Sequence, residues 1–149
     1  MGSLILPASG LVYIDTQAVI YAVQPHASFG PLLQPLWQAM ATGTLVAATS
    51  ELTLMETLVV PLRIGEAVLV RDYETFFARP GIRLIPVSRD VLRDAAALRA
   101  SMPRIKTPDA IHAATAARSG CSLLVTNDYG LRAVPGLPTV VLSDLLASP

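Results

Sequence analysis

Leu11-Val12-Tyr13-Ile14-Asp15-Thr16 is an apolar, β-favouring run that ends abruptly in a carboxylate. Apolar residues in unbroken succession are how a strand covered on both faces reads, and such strands belong to parallel sheets. In an open parallel sheet, ligands bind in the crevice at the carboxyl ends of the strands, so Asp15 stands where chemistry is usually carried out. It can equally be the cap of the helix that follows. What the rest of the chain brings to the same place decides how much weight each role carries.

Working outward, Thr16 to Val23 reads as a short helix stopped by Pro25, and a second helix runs around Leu32 to Met40. Leu33, Leu36, Trp37 and Met40 recur there at helical spacing, which makes Trp37 core or interface rather than a base-stacking platform. Leu45 to Thr49 is a second strand, and Ser50 caps a third helix that is expected to end at Pro61. Gly65 to Ala78 is a fourth helix, Ile82 to Val87 a third strand, and Ser88 caps a fifth helix whose Arg89, Arg93 and Arg99 read as a solvated face. Thr107 followed by Pro108 predicts a helix start with Thr107 as its cap, closed by Gly120. Ser122 to Thr126 is a fourth strand ending in Asn127 and Asp128, and Thr139 to Leu142 a fifth, before a brief helix opened by Ser143 and Asp144.

Strands alternating with helices imply an α/β fold with a parallel sheet covered on both faces. If strands one to three wind one way and four and five the other, the order is 3-2-1-4-5 and the crevice lies between strands one and four. Asp15 and Asp128 end those strands, and Asp109 opens the helix leading into strand four. Glu56 follows strand two, flanked by Leu54, Met55, Leu58 and Val59, and needs solvent, a cation or another partner there. Each acid has an ordinary explanation: a cap for Asp15, an outer stripe for Glu56, dipole stabilisation for Asp109, a turn for Asp128. Four such explanations would have to coincide to gather four acids by accident.

Two charges about 4 Å apart at an effective dielectric near 20 repel by on the order of 4 kcal/mol, which raises pKa values or demands a cation. Hard oxygen ligands suit Mg²⁺ or Mn²⁺ rather than zinc. Such an ion can polarise a phosphodiester and activate water, so phosphodiester hydrolysis is the leading chemistry. His112, one turn beyond Asp109, reads as structurally satisfied and is assigned no metal.

The 149 residues fit a single domain, 1–149, large enough for a full core without staples. A formal net charge of zero excludes a global basic field that would bind polyanions on charge alone. Charged residues make up 15%, against about 25% in an average soluble protein, which points to a surface partly covered by another chain. The single cysteine, Cys121, excludes an internal disulfide and fits a reducing compartment. With neither a signal-like start nor an apolar run near 20 residues, a cytoplasmic location is expected.

VYIDTQAVIY at 12–21, SELTLMETL at 50–58, KTPDAIHAATA at 106–116 and LLVTNDYGL at 123–131 together resemble the motifs of the PIN domain, the fold of many VapC-type toxins of toxin–antitoxin pairs. The resemblance implies a Mg²⁺-dependent endoribonuclease, with Mn²⁺ an alternative metal. It implies that Asp15, Glu56, Asp109 and Asp128 form a catalytic, metal-binding site with Thr126 as polar support. It also implies an RNA substrate and a cognate antitoxin, and self-association to a homodimer is expected beside them. Gln17 departs from the family, many of whose members carry Asn two residues after the first Asp. Arg104 and Lys106 flank Asp109 and read either as contacts to RNA phosphates or as loop charges.

Other readings are an RNA-processing nuclease of the same fold without an antitoxin and a catalytically idle binding scaffold. A phosphorelay receiver would want an Asp ending strand three, where Pro86-Val87-Ser88 stands, and a Lys ending strand five, where Leu142-Ser143 stands. A haloacid-dehalogenase-type phosphatase would want a second Asp where Gln17 stands.

Overall fold

The computed structural model describes residues 2–147. Five strands form one parallel sheet among these residues: β1 (Gly10–Ile14), β2 (Leu45–Ser50), β3 (Ile82–Ile85), β4 (Leu123–Thr126) and β5 (Thr139–Val141). Their order is β3-β2-β1-β4-β5, so β1 is central and the direction of winding reverses between β1 and β4, as expected. Among the described residues, seven α-helices connect and cover the strands: α1 (Thr16–Val23), α2 (Phe29–Ala41), α3 (Glu51–Ile64), α4 (Ala67–Phe77), α5 (Arg89–Ser101), α6 (Thr107–Arg118) and α7 (Leu142–Ala147). No helix of the described residues is long and apolar enough to cross a membrane.

The unbroken apolar run of β1 is explained by its two covered faces. Val12 and Ile14 point into a core built with Leu33 and Leu36 of α2, Tyr73, Phe76 and Phe77 of α4 and Leu142. Leu11 and Tyr13 point the other way, into a core with Val91 and Ala95 of α5 and the alanines of α6. Val12, Tyr13 and Ile14 are completely buried. Burying an aliphatic side chain of this size stabilises by about 1.5–3 kcal/mol, so β1 anchors both layers and cannot slip without exposing them. Residues 110–116 of α6 are all buried, and small side chains let that helix lie close against sheet and α5. Trp37 is partly buried at the edge of the first core, its ring edge-on to Phe76. Cys121 packs against the second core, where burial pushes its thiol up.

Several local expectations are corrected. α3 does not end at Pro61 but continues to Ile64, because an interior proline removes one hydrogen bond without reversing the chain. The stop is Gly65, whose left-handed backbone (φ 74°) lets its N–H and that of Glu66 turn back onto the Leu62 and Pro61 carbonyls. α2 begins at Phe29, earlier than Leu32, since Pro31 falls in the first turn, where its missing N–H has no intrahelical partner to lose. Thr107 is not the cap of α6 but its first residue; Lys106 holds the cap position, and the Thr107 hydroxyl instead accepts from Arg99 Nη1 at 2.8 Å. Arg99 is correspondingly no free solvated charge, for its Nε also donates to the Ile105 carbonyl at 3.3 Å and ties the 102–106 loop to α5.

Candidate active site

The backbone N–H of Asp15 donates to the Val125 carbonyl of β4 at 3.2 Å, which holds Asp15 at the seam between β1 and β4. Its Oδ1 accepts from the Ala18 N–H at 3.0 Å and so caps α1. Its Oδ2 accepts from the Thr126 hydroxyl at 2.5 Å. Capping and a place in the crevice are one arrangement, because the helix that Asp15 caps begins at the end of the central strand. Asp15 is only 8% exposed. Burial pushes its carboxyl above the ordinary range, while the bonds from Thr126 and Ala18 pull it back.

Thr126 serves a second acid as well. Its oxygen accepts from the Asp128 N–H at 3.0 Å, and Asp128 Oδ1 then accepts from the Gly130 N–H at 2.7 Å, opening a 3-10 turn over Tyr129–Ala133. Across from it, Asp109 lies in the first turn of α6 and is half-buried. Burial first, then the charge and hydrogen bonding of Asp128, push the Asp109 carboxyl up to about 6. Such a shift is what two neighbouring carboxylates show when nothing neutralises them.

Glu56 is held differently. Its Oε1 accepts from the Thr16 hydroxyl at 2.7 Å and lies 2.8 Å from His112 Nε2. Burial acts to raise its pKa, but the bonds from His112 and Thr16 outweigh it and the carboxyl sits below its ordinary value. Its partner in the apolar helix is thus protein, not solvent alone. His112 is 3% exposed and its Nδ1 lies 2.7 Å from the Tyr13 hydroxyl, so both ring nitrogens are satisfied, as a structural histidine's should be. It nevertheless reaches the site through Glu56.

Asp15, Glu56, Asp109 and Asp128 line one cavity of about 610 Å³, with Thr16, Gln17, Tyr21, His112, Asn127 and Tyr129. A second cavity of about 650 Å³ shares Asp109 and Asp128 as a wall and carries Arg104 and Lys106, both exposed, beside apolar Met102, Ile105 and Leu131. Thr16, Asn127 and the link from His112 to Glu56 are additions that the sequence did not single out. Thr16 follows Asp15 directly and could have been suspected. Asn127 bonds Tyr21 through its amide N–H and accepts from the Ser143 N–H and hydroxyl, which joins β4 to α1 and α7. Nothing in its local sequence announces that.

The donor chemistry here suits a hard divalent cation: carboxylate oxygens throughout, with the one nearby imidazole occupied at both nitrogens. The mutual repulsion of Asp109 and Asp128 is what a cation between them would relieve. Among the described residues no three acidic, histidine or cysteine side chains are gathered as a ready ligand cluster. That is compatible with an ion such as Mg²⁺, which is commonly held by one or two carboxylates and completes its shell with water.

A family model for the PIN domain matches residues 12–137, which contain all four acids. The chain belongs to the PIN domain family. Solved structures repeat the fold. The VapBC2 complex of Rickettsia felis bound to a promoter DNA fragment aligns with a TM-score of 0.69 at 18% identity, over 88% of this chain and 98% of that one. A toxin–antitoxin complex from Klebsiella pneumoniae aligns with a TM-score of 0.63 at 24% identity, over 88% and 97%. VapC20 of Mycobacterium tuberculosis, a toxin that cleaves the sarcin-ricin loop, aligns with a TM-score of 0.65 at 19% identity, over 87% and 98%. No curated protein matches significantly by sequence. At these identities the structural likenesses establish the PIN architecture, and the residues of the crevice carry the argument about chemistry.

Proposed function

We propose that this PIN domain is a metal-dependent endoribonuclease, using Mg²⁺ or Mn²⁺, and that it is the toxin of a toxin–antitoxin pair. The observation that carries the reading is the convergence of Asp15, Glu56, Asp109 and Asp128, from four separate segments, on one cavity at the carboxyl ends of β1 and β4. The solved structures it is similar to include VapBC complexes and a VapC toxin that cleaves the sarcin-ricin loop, which supports the same reading.

In this reading Asp15, Glu56, Asp109 and Asp128 together hold the cation. The bound ion would polarise the scissile phosphodiester and lower the pKa of a coordinated water. The chain's own residues prepare the place for it. Thr126 and the Ala18 N–H keep Asp15 oriented despite its burial. Asp109, held near 6, can carry a proton in the metal-free site and give it up when a cation arrives. Arg104 and Lys106, on the rim of the adjoining cavity, would attract the phosphates flanking the scissile one. A neutral protein thereby binds a polyanion through a local pair of cations rather than a global field.

The antitoxin, and a second copy of the chain, would cover apolar surface that this fold leaves bare. Met55, Val59, Val60, Leu62 and Ile64 of α3 and Val68 of α4 are each more than 40% exposed. Surfaces of that kind mark protein interfaces.

The test is cleavage of a panel of structured RNAs by the purified protein with Mg²⁺, Mn²⁺ or chelator, beside an Asp15→Asn/Asp109→Asn double variant. Metal-dependent cutting lost in the variant supports the proposal. Absence of cutting by the wild type, together with calorimetry showing no metal binding, sinks it and moves the binding scaffold forward.

A further inference from the structure

Tyr13 and His112 form a polar pair between the central strand and α6, where most of the packing side chains are apolar. Tyr13 is 0% exposed on the central strand, and His112 lies in the buried alanine face of α6. Packing alone would be met there by aliphatic side chains, because a buried polar group costs about 1–3 kcal/mol unless it is hydrogen-bonded. Here every polar atom of the pair is used. The phenol oxygen lies 2.7 Å from Nδ1 and the rings meet edge-on at 5.9 Å. Nε2 lies 2.8 Å from Glu56 Oε1, and the chain of bonds ends at the wall of the acidic cavity.

The proton positions follow from the partners. The single Thr16 hydroxyl hydrogen goes to Oε1 at 2.7 Å rather than to Nε2 at 3.2 Å, so Oε1 is an acceptor toward both neighbours and Nε2 carries a hydrogen. In a neutral imidazole the other nitrogen is then an acceptor, and the Tyr13 O–H is the donor it faces. Glu56 Oε1 is thereby held from two sides, by Thr16 of α1 and His112 of α6, while Oε2 has no hydrogen bond among the described residues.

We propose that the Tyr13–His112 pair positions Glu56. Glu56 selects the Nε2–H tautomer, Tyr13 donates to the Nδ1 left as acceptor and so holds the ring in place, and the Nε2–H pins Oε1 so that Oε2 is presented to the cavity. Its consequence for metal binding rests on the proposed nuclease reading; the tautomer and the Tyr13 bond to Nδ1 do not. The arrangement is the familiar relation of a carboxylate and a histidine in metal sites with the roles exchanged, the imidazole orienting the carboxylate.

Two measurements on the full chain test it. In ¹⁵N-labelled metal-free protein, long-range proton–nitrogen correlation reads the tautomer of His112, one of only two histidines. The expected result is an Nε2–H ring in the wild type, with an Nδ1 resonance that moves in Tyr13→Phe because its donor is gone. A wild-type ring carrying a hydrogen on Nδ1, or an Nδ1 resonance unmoved in Tyr13→Phe, overturns the proposal. In the second measurement, Mn²⁺ binding is followed by calorimetry for His112→Leu, His112→Gln, Glu56→Gln and the Glu56→Gln/His112→Leu double variant. Loss of a residue that orients a ligand costs on the order of 10- to 100-fold in metal affinity. His112→Leu is expected to show such a loss, His112→Gln to recover most of it by restoring a side-chain N–H, and the leucine to add nothing once Glu56 is neutral. Equal loss in both backgrounds would make His112 a packing residue and overturn the positioning role. A wild type that binds no Mn²⁺ refutes the nuclease reading, and the tautomer spectra then still support or overturn the Tyr13–His112–Glu56 arrangement.

Discussion

Thr126→Val removes one hydroxyl, keeps the volume, and strikes two acids together. The hydroxyl donates to Asp15 Oδ2 at 2.5 Å and accepts from the Asp128 N–H at 3.0 Å. A hydrogen bond to a charged acceptor contributes about 1.5–3 kcal/mol. The orphaned Asp128 N–H adds about 1 kcal/mol, the low end of the usual range, because Asp128 itself is exposed and water reaches it. The expected loss where Asp15 is ionised, in metal-free protein, is about 3 kcal/mol. The sign of its pH dependence follows from Asp15. Burial already raises that carboxyl above its unfolded value, and losing the Thr126 bond raises it further. Between the unfolded and folded pKa values the native state binds more protons, so stability falls as pH rises through that window. The variant extends the window upward, and its deficit relative to the wild type must grow with pH and shrink in acid. Urea unfolding at several pH values, with m unchanged, measures this; a 3 kcal/mol loss moves the midpoint by roughly 1–2 M. A deficit that does not grow as pH rises would refute the claim that Thr126 holds the ionised Asp15.

Further outcomes test other parts of the site. In metal-free protein, carbon-detected titration is expected to place Asp109 at about 6, and Asp128→Asn to lower it by removing the neighbouring charge; an unmoved value would leave burial as the whole cause. Arg104→Ala/Lys106→Ala is expected to weaken RNA binding and to flatten its dependence on salt by about two phosphate contacts, read as the slope of log affinity against log salt. Val59→Asp/Leu62→Asp, at exposed positions of α3, is expected to leave thermal stability nearly unchanged while shifting the wild type's elution toward monomer or abolishing antitoxin capture. Gly10 has φ 104° and a Cβ there would lie 3.1 Å from Ser122 Oγ, so Gly10→Ala is expected to lose at least about 1 kcal/mol in the same unfolding assay.

Much of the architecture is written in short stretches. The uninterrupted 11–14 run announces a strand covered on both faces, and the alternation of strands with helices leads to the β3-β2-β1-β4-β5 order that the sheet adopts. Ser50 and Ser88 cap α3 and α5 as their positions imply. The local differences have separate causes: Pro61 lies within α3 because Gly65, and not the proline, ends the helix, whereas a tertiary contact decides Thr107, whose hydroxyl Arg99 takes.

By itself the sequence determined which acids stand at the ends of which elements, because a carboxylate that ends a buried strand or opens a helix is visible in the local pattern of polarity. It also determined the PIN resemblance, which is carried by four such stretches. Only the tertiary structure decided how the four acids differ. Asp15 is buried and capped, Asp109 is raised by Asp128, and Glu56 is lowered by His112 and Thr16. Those differences arise from groups dozens of residues apart, such as Tyr13 and His112 or Thr16 and Glu56. Hydrogen bonds and desolvation act over a few ångströms of space, and no separation along the chain encodes that distance.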